Sequence, residues 1–368
     1  MNMVEMSYAV AGSVEEAVAR YELPQQLGFG VVPAPVMYSV DYATGGWARG
    51  VLMPFGEISI LPNARGIQFA ECVFEGMKAY RRRPAPPHLF RPTANHARFV
   101  ESARRIGMPA VPEALFMEAV GAVVSACGDI VPDASGSALY LRPFMFSTEP
   151  GYSVSNSNTY RFMVIASPSE VYSSGSMRVM IERNDVRAAR GGVGFAKTGG
   201  NYAAAMKATS AAMREGFTVA LWLDPTERSA IEELSGMNVF AVIDGELQTP
   251  ELSDSILPGI TRDCVITLAR NRGIVVREKI MPIAELLRAI RAGRCREVFA
   301  TGTAAIITPV SELGDSDGQI YVLPDSQIAL QLRSELLDIQ ERRAPDPLNW
   351  TYDIPLENGA TRYSSEHR

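Results

Sequence analysis

The stretch GGVGFAKTGGNY, residues 191–202, sets Lys197 among five glycines and ends in a tyrosine. Lysine is scarce in this chain: only Lys78, Lys197, Lys207 and Lys279 occur in 368 residues, and arginine carries the rest of the positive charge. A lysine amine becomes a covalent catalyst when it forms a Schiff base with a carbonyl compound or is held in a desolvated pocket. Glycines on both sides remove side chains that would block a flat ring, and they supply backbone shapes that other residues avoid. Taken alone, the loop fits a surface turn carrying a solvated lysine equally well. The other three lysines read as ordinary solvated charges, with Lys78 in FEGMKAYRRR, Lys207 in an alanine-rich segment and Lys279 in REKIM.

The elements around the loop say how it must be held. After Asn201 and Tyr202 comes AAAMKATSAAMREG, a helix ended by Gly216, so Lys197 lies in a loop feeding a helix N-terminus. Upstream, Phe116, Val120, Val123 and Cys127 recur at helical spacing after Pro112, and 138–144 (ALYLRPF) and 159–166 (TYRFMVIA) have strand character. The following SPSEVYSSGS is a Ser/Gly/Pro cluster that predicts a linker. Downstream, TVALWL and NVFAVI predict strands, with Asp244-Gly245 as a two-residue hairpin turn. Ile328, Leu332, Leu336 and Ile339 stripe a helix that begins after Pro324, Asp325 and Ser326. The expected architecture is α/β in two domains: a smaller one over 1–167, an interdomain loop over 168–177, and a larger, strand-rich one over 178–368.

Composition excludes several classes of function. A net charge of −6, with no basic block longer than Arg81-Arg82-Arg83, argues against a nucleic-acid surface. No run of about 18 apolar residues exists to span a bilayer. Without an export-type apolar stretch near the start, the expectation is a cytoplasmic protein with small-molecule partners. Cys72, Cys127, Cys264 and Cys295 show neither metal nor redox spacing, and His88, His96 and His367 form no zinc-type pair, so no metal is expected.

Several separated motifs add a more specific indication. KTGGNYAAA, EELSGMNVF, ILPGITRD and ATGTAA, preceded by FAECVFEGMKAYR, LFRPTANHARFVESARRIGMP and LYLRPFMFSTEPGYSV, occur in that order over roughly residues 25–345. Together they resemble the branched-chain aminotransferase family of fold-type IV pyridoxal-phosphate enzymes. The resemblance implies a homodimeric transaminase that moves the amino group of an L-amino acid to 2-oxoglutarate through pyridoxamine phosphate. Lys197 matches the Schiff-base lysine. Glu233 matches the carboxylate facing the pyridine nitrogen, and Tyr202 the phenol bonded to the ring oxygen. Arg98 matches the phosphate arginine, joined by Ile260 and Thr261 at a helix start and by Thr303 in TGTAA. Phe74, Tyr140, Arg142, Tyr172 and Ala304 match substrate-side positions.

The chain also departs from the family pattern. Phe69, assigned to the substrate side, stands where a tyrosine is usual, Val219 where a glutamine is frequent, and Pro33, Ala34, Pro35, Val36 and Met37 replace Phe-Thr-Asp-His-Met. Ala305 and Thr308 occupy the places of a redox Cys-x-x-Cys seen in some animal members. These changes point to a specialised substrate within the branched-chain or related hydrophobic class. A lyase, cyclase or D-amino-acid transaminase is the alternative within the same cofactor chemistry. A binding homologue without catalysis is the alternative outside it, and the intact Lys197, Tyr202, Glu233 and Arg98 argue against that.

Overall fold

The computed structural model describes residues 12–171 and 175–354. Two nine-stranded sheets organise them. The first is antiparallel, with a central path that runs Thr351–Asp353, His88–Phe90, Met77–Tyr80, Ala138–Ser147, Tyr160–Ser169, Val36–Ala43, Gly46–Trp47. Strand Ala138–Ser147 alternates between its two faces. Leu139, Leu141 and Met145 are buried against helices Pro92–Arg105 and Glu113–Ala126, whereas Tyr140, Arg142 and Phe144 point the other way. Phe99, Phe116 and Phe162 meet in the resulting core at ring-centre distances of 5.5–5.9 Å. Phe116→Ala is therefore expected to cost about 3–5 kcal/mol in a urea denaturation experiment, from lost transfer energy plus an unfilled cavity.

The second sheet is mixed. Its path runs Ile231–Leu234, Val219–Leu223, Met177–Ile181, Ile306–Gly314, Cys295–Gly302, Asn238–Ile243, Glu246–Pro250, Val276–Lys279. The Asp244-Gly245 turn forms as the sequence predicts, with both residues at positive φ (52° and 81°). Helices Ile260–Asn271 and Gln327–Gln340 cover one face through Val265, Leu268, Leu332 and Leu336, and helix Ile283–Arg291 adds Leu286 and Ile290 elsewhere. No helix among the described residues is long and apolar enough to cross a membrane.

Two boundaries differ in detail from the sequence expectation. Strand Tyr160–Ser169 continues three residues into the Ser/Pro cluster, because Ser167, Pro168 and Ser169 still pair with Tyr140, Leu139 and Ala138. Helix Gly199–Arg214 begins ahead of the alanine run and takes both glycines into its first turn. Past the second sheet, the chain returns to the first one, where Thr351–Asp353 pairs with His88–Phe90 and Trp350 packs edge-on against Phe90.

Candidate active site

Lys197 lies two residues before helix Gly199–Arg214, in a loop fixed at almost every residue. Its amide N–H donates to Ser102 Oγ (2.9 Å), its carbonyl accepts from Phe74 N (3.0 Å), Thr198 Oγ1 donates to the Cys72 carbonyl (2.7 Å), and Asn201 Nδ2 donates to the carbonyls of Val193 and Ala196. A Cβ on Gly194 would come within 2.5 Å of Ser255 Cα, so only glycine allows the close approach of these two segments. The loop is a built scaffold rather than a surface turn. Lys197 Nζ is directed into a cavity between the two sheets, 2.8 Å from Tyr202 Oη and 4.9 Å from the Phe74 ring centre.

Strand Ile231–Leu234 carries Glu233 into the same cavity. One carboxylate oxygen accepts the Leu257 amide N–H at 3.0 Å, and the other lies 2.9 Å from Arg187 Nε. Burial raises the Glu233 carboxyl to about 7, against the lowering effects of Arg187 and the Leu257 amide. In the ligand-free protein, the resulting stability contribution is complete below the ordinary glutamate value of 4.5 and is lost as pH rises through about 7. Urea denaturation of the ligand-free protein from about pH 5 to about pH 8 should show this loss, and Glu233→Gln should flatten it.

Across the cavity, Arg98 is held by Glu75: Nε to Oε1 at 2.7 Å and Nη2 to Oε2 at 2.8 Å, with Nη1 donating to the Pro258 carbonyl at 3.1 Å. Glu75 is fully buried and also accepts from Asn95 Nδ2 at 2.7 Å. Burial works to raise this carboxyl, but Arg98 outweighs it and holds the group below the usual carboxylate range. Three of the five guanidinium donors are thus used, which leaves two for an anion. Beside Arg98, helix Ile260–Asn271 opens at Gly259 with no side-chain cap, so its first N–H groups stay available. A Cβ at Gly259 would sit 1.9 Å from Asn238 Oδ1, in the space this cradle needs. The third side is the turn 303–305, closed by Ile306 at φ 59°, a conformation that a β-branched residue rarely adopts. Thr301 Oγ1, 1% exposed by residue, lines the cavity without a hydrogen-bond partner among the described residues.

Arg98, Lys197, Tyr202, Glu233, Ile260, Thr261, Thr303, Phe74, Tyr140, Arg142 and Ala304 all line this one cavity. Arg142 Nη2 donates to Tyr140 Oη at 2.8 Å, and its guanidinium lies 4.8 Å from the Phe74 ring centre. Gly76 permits this pair, since a Cβ there would lie 2.3 Å from Tyr140 Oη. Phe69 does not join them: it caps the short helix Arg65–Gln68 and is 42% exposed, outside the cavity. Tyr172 lies outside the described residues. Lys78 corrects the sequence reading of a solvated charge, because it is 3% exposed on strand Met77–Tyr80. One apparent turn of charge and polarity, KAYRRR, concealed it: the strand buries Met77 through Tyr80 on both faces before the arginines emerge.

Sequence reasoning missed Glu75, Arg187 and Thr301. Glu75 was findable, since an arginine kept inside a protein needs a carboxylate, and VFEG supplies one beside the cavity. Arg187 carries no motif signal, and Thr301, although it lies inside ATGTAA, is singled out only in three dimensions. The donor set fits the expected pyridoxal phosphate: an uncapped helix start, a partly free arginine and an unpartnered hydroxyl for a phosphate, a carboxylate for a ring nitrogen, and an amine beside a phenol for a carbonyl carbon.

Residues 72–313 match the family model described as Amino-transferase class IV. The chain is 41% identical over 339 residues to branched-chain-amino-acid transaminase 1 of Bacillus subtilis (strain 168), covering 90% of this chain and 95% of that protein. It is 40% identical over 364 residues to the branched-chain-amino-acid aminotransferase of Mycolicibacterium smegmatis, covering 95% and 99%. Among solved structures, it is similar to the branched-chain aminotransferase of Thermoproteus uzoniensis with norvaline (TM-score 0.73, 28% identity, 87% of this chain and 100% of that one). It is also similar to the branched-chain amino acid aminotransferase from Escherichia coli (TM-score 0.72, 26% identity, 87% and 100%).

Proposed function

The chain belongs to the class-IV aminotransferase family, whose members depend on pyridoxal phosphate, and from that premise we propose that it moves the amino group of a branched-chain L-amino acid to 2-oxoglutarate. The observation that carries the proposal is the single cavity in which Lys197 Nζ and Tyr202 Oη stand 2.8 Å apart, with Glu233 and Arg98 on its other walls. When bound, pyridoxal phosphate supplies an aldehyde for the amine and a ring that accepts the electron pair left at a substrate Cα.

The chain's own residues do the rest. Arg98, the amides of Ile260 and Thr261, and Thr303 would hold the phosphate. Glu233 would meet the ring nitrogen with its carboxylate, and Tyr202 would offer its phenol hydrogen to the ring oxygen. Lys197 would give the covalent attachment, and its Nζ would take the proton from the substrate Cα. Tyr140, Arg142 and the Ala304 amide orient the substrate carboxylate, while Phe74 packs against the apolar part.

We further propose a cytoplasmic homodimer of two-domain subunits. Segments that carry Leu61, Ile67, Phe69, Tyr152 and Val154 meet through the Arg65–Glu149 pair and leave these five apolar side chains exposed, a surface suited to a second copy. Incubating the purified holoenzyme with a panel of L-amino acids and 2-oxoglutarate, and reading out glutamate, tests the function. Leucine, isoleucine and valine, or a close hydrophobic relative, should lead the panel. Ammonia release without an acceptor would overturn transamination.

A further inference from the structure

Strand Met77–Tyr80 places Lys78 just behind the cavity wall. Its Nζ is 3.5 Å from the Ala304 carbonyl oxygen and 5.9 Å from the Phe29 ring centre, and Lys78 is directly paired with Tyr140 on the next strand. Ala304, Phe29 and Tyr140 all line the cavity, and Lys78 itself does not. Lys207 has Asp185 as an ion-pair partner, whereas Lys78 has no carboxylate within ion-pair distance among the described residues. An ammonium has three donors to satisfy, and here it has one long contact to a carbonyl. Burial foremost, then Arg333, lowers this amine to about 8, with Glu341 opposing, so it is still a cation at neutral pH.

A buried ammonium with so little compensation either gives up its proton or draws on an opposite charge placed nearby. A carboxylate that enters the cavity would supply that charge, through a wall one residue thick and of low dielectric, where a Coulomb attraction is felt far more than in water. We propose that Lys78 is a specificity-determining residue of the aminotransferase, selecting ligands that carry a carboxylate over neutral ligands of the same shape by its charge alone, without touching them. This role rests on the function proposed above. It differs from that of Arg142, which lines the cavity and can bond a ligand directly.

The test compares two isosteric probes, 4-methylvalerate and its amide, binding to the holoenzyme of the wild type, Lys78→Met and Lys78→Arg. Methionine keeps the length and apolar stem and removes the charge. In Lys78→Met, the Kd of the carboxylate should rise roughly tenfold while that of the amide stays within a factor of about two, and Lys78→Arg should retain the preference. The thermal midpoint of Lys78→Met should not fall, because removing an uncompensated buried charge relieves a desolvation cost. Equal weakening of both probes would mean that Lys78 only supports packing, and no weakening of either would mean that its charge is not felt in the cavity. Both results overturn the inference. A wild-type holoenzyme that binds neither probe and transfers nothing from leucine would instead defeat the proposed function.

Discussion

Lys197→Ala is expected to leave a folded protein that no longer moves amino groups. The loss of proton transfer alone lowers kcat by roughly 10²–10⁴-fold, and the missing covalent attachment adds to that. Lys197→Arg should fail as well, because a guanidinium keeps its proton and cannot act as the amine nucleophile. Circular dichroism should be unchanged in both, since Nζ bonds to Tyr202 at the cavity surface and ties no element of the fold to another. The rival nucleophile is Lys78, the other lysine near the cavity, but Phe29 and Ala304 stand between its amine and any ligand. Borohydride reduction of the wild-type holoenzyme followed by peptide mapping should therefore label residue 197 and leave residue 78 bare. A label on Lys78, or wild-type glutamate formation by the alanine variant, would refute the assignment.

Glu75→Ala should be the most damaging single change away from the reacting amine. It removes the fully buried carboxylate that holds Arg98 at two nitrogens, and leaves a cation behind with its desolvation cost unmet. Breaking one side of such a buried pair costs about 3–5 kcal/mol, to be read as a shift in the urea midpoint at constant slope. Affinity for pyridoxal phosphate should fall in parallel, because Arg98 would no longer be aimed. The pH dependence has a defined sign: Glu75 is depressed in the fold, so its contribution is present above the ordinary glutamate value and is lost as pH falls through the lower, folded one. A loss below about 1 kcal/mol would put the pair with exposed ion pairs, where solvent screening leaves little net stabilisation.

What the sequence made legible follows from how local each signal is. Lys197, Tyr202 and the helix start at Ile260 each sit in a short glycine-bearing segment that is ambiguous alone, and they became legible because several such segments follow one another in a fixed order. The strands at 138–144 and 238–243 were legible from their own residues, since strand pattern and an Asp-Gly turn are nearest-neighbour properties, whereas the extension of the first to Ser147 was not. Lys78 was misread because the neighbours that enclose it, Phe29, Tyr140 and Ala304, are brought to it only by the fold, the last of them from 226 residues away. Arg187 was missed because it lies in a loop while its partner Glu233 is on strand Ile231–Leu234, and nothing in DVRAARGG marks one of two arginines as the inward one. The place of Phe69 outside the cavity also depended on the path of helix Arg65–Gln68, which residue type does not encode.

The strand Ala138–Ser147 serves two masters at alternate positions. Leu139, Leu141 and Met145 answer to the helices beneath, while Tyr140 and Arg142 answer to whatever enters the cavity. Selection for a new ligand can rewrite the second set with little disturbance to the first, since successive side chains along the strand point to opposite faces of the sheet. Tolerance to substitution along this strand should thus rise and fall with every other residue, and ligand preference can drift while the framework that carries it holds still.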